Sequence, residues 1–302
     1  MITGMKKIIV ITGPTACGKT PTAIALAKLI DGEIISADSM QIYKGMDIGT
    51  AKPDLSEMDG IPHHMLDIAD PSENFSAALF QKMSRKVVAD IQSRGKSVIV
   101  AGGTGFYINA LLYDNLSPDA DDSDLRDRLM KESNLHERLK AVDPISAEAI
   151  HPNNIKRLAR ALAYYEVNAH PFSNHKSESK KPLYDTAFYI LHRGRSLLYK
   201  AIDHRVEVMI NRGLVDEVKR LLAEGLSEKS TAMQALGYKE MLPYIKGQCS
   251  LEEAVAAIQQ GSRRYAKRQL TWFRHQIDGV WLSMEEYSPT EAARKIAKNI
   301  KT

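Results

Sequence analysis

Gly13-Pro14-Thr15-Ala16-Cys17-Gly18-Lys19-Thr20 follows the apolar run Ile8-Ile9-Val10-Ile11 and precedes Ala23-Ile24-Ala25-Leu26-Ala27-Lys28-Leu29, a stretch of helical character. A strand, a glycine-containing loop ending in Lys-Thr, and a helix make a phosphate cradle. The glycines let the backbone wrap so that several N–H groups point inward, Lys19 adds a positive charge, and the Thr20 hydroxyl can hold a magnesium ion. A polyphosphate or pyrophosphate is the ligand this pattern suits. The ordinary alternative is a glycine turn, which the full G-x-x-x-x-G-K-[ST] spacing between strand and helix disfavours.

Working outward, the chain has 302 residues, 44% hydrophobic and 26% charged, enough for about two domains with a real core. Net charge is only +4, so the informative question is where bases gather without nearby carboxylates. Cys17 and Cys249 offer neither a disulfide framework nor a zinc-type cluster, which fits a reducing, cytoplasmic setting. Lys6 and Lys7 precede an apolar stretch too short for a signal peptide or membrane span. The expectation is therefore no membrane, and no obligatory protein partner is evident.

Glu33-Ile34-Ile35-Ser36 reads as a second strand ending at Ala37-Asp38-Ser39-Met40-Gln41. Strand ends are where α/β folds place chemistry. At this point Asp38 has three readings: a magnesium-linked carboxylate, a general base, or a cap for the following turn. His63 and His64 are adjacent, so their side chains diverge, and with no Cys or third His nearby a packing role outweighs metal ligation. Helical periodicity runs from Ser76 to Arg94. The buried parallel strand Ser97-Val98-Ile99-Val100-Ala101 then leads into Gly102-Gly103-Thr104-Gly105-Phe106-Tyr107. This second glycine-rich strand end lets a substrate approach the backbone, unless it is a plain helix-start turn.

The segment 116–182 changes to short, charged helical pieces and reads as an insertion into a core made of 1–115 and 183–302. Within it Lys156, Arg157 and Arg160 sit at helical spacing, either a solvated face or a phosphate-binding one. The core resumes with the strand Ala187-Phe188-Tyr189-Ile190-Leu191 and a helix from Leu197 to Arg212. That helix carries Arg205, a lone arginine of the kind usually found at the surface. No acid occurs between Glu253 and Asp278. There Ala266, Leu270, Phe273 and Ile277 form an apolar helix row beside a basic row of Arg263, Lys267 and Arg274. Aromatics beside such a row suit nucleic acid.

Several blocks together resemble one family, the tRNA dimethylallyltransferases, also called isopentenyl-tRNA transferases. They are Gly13 to Thr20, Asp38-Ser39-Met40-Gln41, Ile61-Pro62-His63-His64-Met65-Leu66-Asp67, Gly102 to Tyr107, Gly237-Tyr238-Lys239-Glu240 and Tyr265-Ala266-Lys267-Arg268-Gln269-Leu270-Thr271-Trp272. The resemblance implies an α/β, P-loop NTPase-like parallel-sheet core with a helical tRNA-binding insertion. It also implies transfer of a dimethylallyl group from dimethylallyl diphosphate to N6 of the adenosine 3′ of the anticodon, in tRNAs reading codons that start with U. The partner would be the tRNA anticodon stem-loop, and the cofactor Mg²⁺ on Thr20. By the same resemblance Asp38 is the base, and Lys19 and Thr20 stabilise the leaving diphosphate with Arg205. Ser39, Met40, Gln41, Thr104 and Arg126 lie near the flipped adenine, while Lys156, Arg157, Arg160, Arg263, Lys267 and Arg268 clamp the stem-loop.

Three positions depart from the family pattern. Pro21 follows the loop where another residue is usual, though a helix's first turn tolerates proline. Cys17 stands where Ser, Gly or Val is common. Lys156 replaces a usual Gln, exchanging a base-pairing amide for a phosphate-binding charge. Rival readings are an enzyme prenylating free adenine nucleotides, a P-loop kinase or ATPase, and an RNA-binding protein with a structural phosphate site. The first would have little use for an insertion or a basic helix.

Overall fold

The structure, a computed structural model, describes residues 7–113, 123–175 and 182–300. Two features of the sequence reading, Lys6 and the changeover between 115 and 116, lie outside these residues. The chain divides into two compact units, Met1–Leu111 with Tyr184–Thr302, and Leu112–Leu183.

In the first unit β1 (Ile8–Thr12), β2 (Gly32–Ser36), β3 (His63–His64), β4 (Ser97–Gly102), β5 (Thr186–His192) and β6 (Val280–Ser283) form one parallel sheet in the order β3-β2-β4-β1-β5-β6. Every residue of β1 is buried. Ile9 and Ile11 join a core with Ala23, Leu26 and Ala27 of the following helix and with Ala292, Ala293 and Ile296 of the last one. Because strand side chains alternate, burial of Ile8 and Val10 as well means that both faces of the sheet are covered. This is a P-loop NTPase-like α/β core. With β1 between β4 and β5, all the strands end at one edge, which gathers the loops after Thr12, Ser36, Gly102 and His192 there.

Each of the paired histidines has one ring nitrogen engaged within the fold. His63 Nδ1 lies 2.9 Å from the Ile61 carbonyl oxygen, and His64 Nε2 lies 2.8 Å from Glu33 Oε2. Arg94 also grips the buried Glu33 carboxylate, and this bond holds Glu33 down at about 2. No group of three His, Cys, Asp or Glu among the described residues is placed to hold a metal ion.

The second unit is helical. Leu129, Leu135, Leu139, Leu158 and Leu162 form its core, and the buried Asp143 carboxylate accepts from the N–H groups of Ser146 and Ser173. Among the described residues no helix is long and apolar enough to cross a membrane.

Candidate active site

The Gly13–Thr20 loop turns at the end of β1 and runs into the helix Lys19–Ile30. Gly13 has φ +146°, and a Cβ there would lie 2.2 Å from the Leu191 carbonyl oxygen, so only glycine lets the loop pass β5. Lys19 reaches back along the loop and donates to the Pro14 carbonyl oxygen at 2.8 Å. Burial pushes the Lys19 ammonium down to about 8, with Arg205 adding to the effect against the opposing pull of Cys17 and Asp38. A cation kept short of solvent and beside a second cation is poised for an anion.

Cys17 is fully buried, and desolvation pushes its thiol up to about 11. At pH 8 that leaves a thiolate fraction of roughly one in a thousand. Iodoacetamide should therefore leave Cys17 unmodified in the native protein while labelling the partly exposed Cys249. Peptide masses showing equal labelling of both thiols would contradict this placement.

Asp38 follows β2. Its Oδ1 accepts from the Met40 N–H at 2.9 Å and the Gln41 N–H at 3.4 Å, as a turn cap does. Among the described residues no donor reaches Oδ2, so the cap uses one oxygen and leaves the other for chemistry. Ser39 N–H donates to Thr104 Oγ1 at 3.1 Å and Thr104 N–H to the Ala37 carbonyl oxygen, which joins the two strand ends. The Gln41 amide is engaged with Ser36, Thr50 and Ala51, so it ties the strand end to the 45–53 loop.

A lone helix arginine is usually a surface residue, but Arg205, which the resemblance places at the diphosphate, turns toward the loop. Its guanidinium donates to Thr15 Oγ1 at 3.0 Å and to the Thr50 carbonyl oxygen at 3.3 Å, and burial lowers its pKa. Lys19, Thr20, Asp38, Arg205, Tyr265 and Gln269 share a cavity of about 210 Å³ with the loop. A second cavity of about 300 Å³ shares Thr15, Asp38, Arg205 and Tyr265 with the first, and extends over Ile202, Val206, Met209, Leu236 and Ile258. A cationic pocket thus opens beside an apolar one, with the Asp38 carboxylate at the junction. The arrangement can hold a diphosphate next to a hydrocarbon and accept a proton between them.

Tyr265 and Gln269 belong to the block expected to grip nucleic acid, yet they face inward. Gln269 Oε1 accepts from the Thr15 N–H at 2.9 Å and its Nε2 donates to the Gly103 carbonyl oxygen at 2.9 Å. Burial raises the Tyr265 phenol to about 12, and the neighbouring Asp38 adds to this. Polar side chains at i and i+4 beside an apolar helix row were the sequence signal for this inward face.

Leu251–Gln276 is one helix, started by a Ser250 and Glu253 capping box. Ala266 and Phe273 are buried as the periodicity predicts. The acid-free basic row needs one correction, because Arg263 is ion-paired with Asp203 of the helix Arg195–Asn211. Helical spacing sees acids on the same helix and is blind to one supplied by a neighbour. Arg264, Lys267, Arg268 and Arg274 are exposed. Lys267 and Arg268 line a groove with Trp272, and Arg274 lines another with His192, Arg193 and Trp281.

In the helical unit Lys156, Arg157 and Arg160 lie exposed on the helix Ile155–Asn168, and Arg126 is half-buried on Ser123–Leu129. The first cavity fits a hard cation. The Thr20 hydroxyl lines it, and Mg²⁺ takes one or two protein oxygens plus phosphate oxygens rather than an all-protein cage.

Comparison with known proteins agrees with this geometry. Residues 41–276 match the family described as IPP transferase. The tRNA dimethylallyltransferase of Geobacillus thermodenitrificans is 49% identical over 299 residues, 96% of this chain and 94% of its own length. A solved tRNA delta(2)-isopentenylpyrophosphate transferase from Staphylococcus epidermidis is 45% identical with a TM-score of 0.73, covering 98% of this chain and 99% of its own. A eukaryotic dimethylallyltransferase solved acting on tRNA is 31% identical with a TM-score of 0.86, covering 96% of this chain and 77% of its own. With a family match over most of its length and a cation-lined cavity where that family's motifs converge, the chain belongs to the IPP transferases.

Proposed function

We propose that the protein is a tRNA dimethylallyltransferase. It moves the dimethylallyl group of dimethylallyl diphosphate to N6 of the adenosine 3′ of the anticodon, in tRNAs reading codons that start with U, and releases diphosphate. The observation that carries this reading is the Asp38 carboxylate, held by one oxygen and open at the other, where the cationic and apolar cavities meet. The diphosphate lies in the loop against Lys19 and Arg205, with its hydrocarbon over Ile202, Val206 and Met209. As the allylic C1–O bond breaks, negative charge collects on diphosphate beside these two cations. The adenine amine donates its lone pair to C1, and Asp38 takes the proton that leaves N6. Thr20 would hold Mg²⁺, which would supply further charge neutralisation on the diphosphate when bound.

The target adenosine must leave its stack, at a cost of a few kcal/mol, which requires a grip on the RNA. The exposed cations of Leu251–Gln276 and the basic face of the helical unit supply it in this reading. Two free thiols fit a reducing, cytoplasmic setting. The direct test incubates the protein with unmodified tRNA, dimethylallyl diphosphate and Mg²⁺ and maps any added mass to a nucleoside. Added mass on N6 of that adenosine is expected. Modification of free adenosine monophosphate instead, or turnover of ATP to ADP, would replace the reading with one of its rivals.

The basic helix separates a polynucleotide acceptor from a free nucleotide. Changing Arg264, Lys267 and Arg274 together to Gln leaves the apolar row and the Arg263–Asp203 pair intact, so folding should persist. Affinity for tRNA should fall, and the slope of log affinity against log salt should shrink by about 0.7 to 0.9 per lost phosphate contact. Unchanged tRNA affinity and slope would make the row a solvated face.

A further inference from the structure

The segment Gly45 to Pro53 and the block Gly237-Tyr238-Lys239-Glu240 border the apolar cavity but carry no chemical role in the reaction as described. The structure brings them together at Glu217, a buried carboxylate in the first turn of the helix Leu214–Ala223. Glu217 Oε2 accepts from the N–H groups of Asp47 at 2.9 Å and Ile48 at 2.8 Å. Its Oε1 accepts from the Gly49 N–H at 3.0 Å and the Tyr238 hydroxyl at 2.7 Å. Four donors satisfy one buried anion, three of them consecutive backbone groups, so the loop has a single arrangement that leaves no bond unmade. Burial and the neighbouring Glu217 raise the Tyr238 phenol, which keeps it a donor. Its ring lies against Gly49, where a Cβ would come within 2.4 Å of Tyr238 Cε2.

The loop fixed in this way carries the next carbonyl groups into the site. The Thr50 oxygen accepts from both Arg205 Nη2 and Gln41 Nε2, each at 3.3 Å, and the Ala51 oxygen accepts from Gln41 Nε2 at 3.2 Å. We propose that Glu217 and Tyr238 are positioning residues for the transfer reaction. They hold the Asp47–Ala51 loop so that its Thr50 carbonyl sets the Arg205 guanidinium against the diphosphate of the donor. The proposal rests on the reading of Arg205 as a diphosphate ligand. Glu217 touches neither substrate and acts through one hydrogen-bonded loop. A half-buried arginine has few acceptors, and losing the Thr50 oxygen leaves Arg205 only Thr15 Oγ1 among the described residues.

The test measures inorganic pyrophosphate affinity of the full chain by calorimetry, with anticodon stem-loop affinity as the second readout. Glu217→Gln puts an NH₂ where the carboxylate accepts, and should weaken pyrophosphate binding about 10- to 100-fold, since bonds to a charged group are lost. Binding of the stem-loop should stay unchanged. Tyr238→Phe keeps the ring over Gly49 and removes one donor, so a loss of about 3- to 10-fold is expected. Gly49→Ala reaches the same loop from the ring side and should give the same pattern if Glu217→Gln does not fold. In an Arg205→Gln background the Glu217 and Tyr238 changes should add little, because their effect runs through Arg205. Losses that multiply in the double variants, or variants that melt earlier yet bind pyrophosphate normally, overturn the proposal alone. Normal pyrophosphate affinity in Arg205→Gln by itself overturns the proposal together with the reading of Arg205 beneath it.

Discussion

Asp38→Asn is expected to lower the single-turnover rate of prenyl transfer about 10²- to 10⁴-fold while leaving tRNA and diphosphate affinity near their starting values. Asparagine has the same size, and its carbonyl oxygen can keep the bonds from the Met40 and Gln41 N–H groups, so the turn after β2 should survive. What disappears is a basic oxygen at the position of Oδ2. The adenine amine has its lone pair delocalised into the ring and becomes a useful nucleophile only as its proton is removed, so the loss falls on the chemical step. Rapid-quench measurement with enzyme in excess over tRNA reads that step directly. Rates that survive the change would reduce Asp38 to its capping role.

Lys19→Met should cost about 10²- to 10³-fold in the same step, the size expected for removing one group aimed at developing negative charge. The pH behaviour gives a sharper signature. With its proton coming off near pH 8 in the unliganded protein, Lys19 is charged below that pH and neutral above it. A diphosphate stabilises the charged form, so affinity should fall as pH rises through 8, and binding near pH 8 to 9 should take up a proton. Dimethylallyl diphosphate suits this titration because the last phosphate proton is lost near pH 6, below the window. The contribution of Lys19 to stability of the unliganded protein has the opposite sign. Its folded-state value lies below the unfolded value of 10.5, so the cost of burying the charge is present in full below pH 8 and shrinks as pH climbs toward 10.5. Lys19→Met should remove both slopes, and a flat affinity profile in the unmodified protein would contradict the placement of this ammonium.

What was legible in the sequence was whatever local spacing enforces. Gly13 to Thr20 could be read because strand, loop and helix are contiguous, and Asp38 and Thr104 because each follows an apolar strand. Long-range partners were not legible. Asp203 meets Arg263 across 60 positions, Glu217 meets Asp47 across 170, and Thr15 meets Gln269 across 254. Charge counting along one helix therefore overstated the free cations by Arg263. It also left Gln269 in the outward-facing block although its amide is spent inside. For Arg205 the general habit of helix arginines points outward while the family resemblance points to the diphosphate, and the bonds to Thr15 and Thr50 turn it inward.

The bond from the Thr15 N–H to Gln269 has a consequence for the newborn chain. The loop is made first, and the side chain that fixes its first turn follows 254 residues later. At about 5 to 20 residues per second that is a wait of roughly 13 to 50 s. Over that interval the emerging segment has its strand and helix sequences without the amide that braces the cradle. Donor capture is thus withheld until Gln269 has been made, and a truncated product ending just before it would keep Arg264, Lys267 and Arg268 but lack a finished phosphate loop.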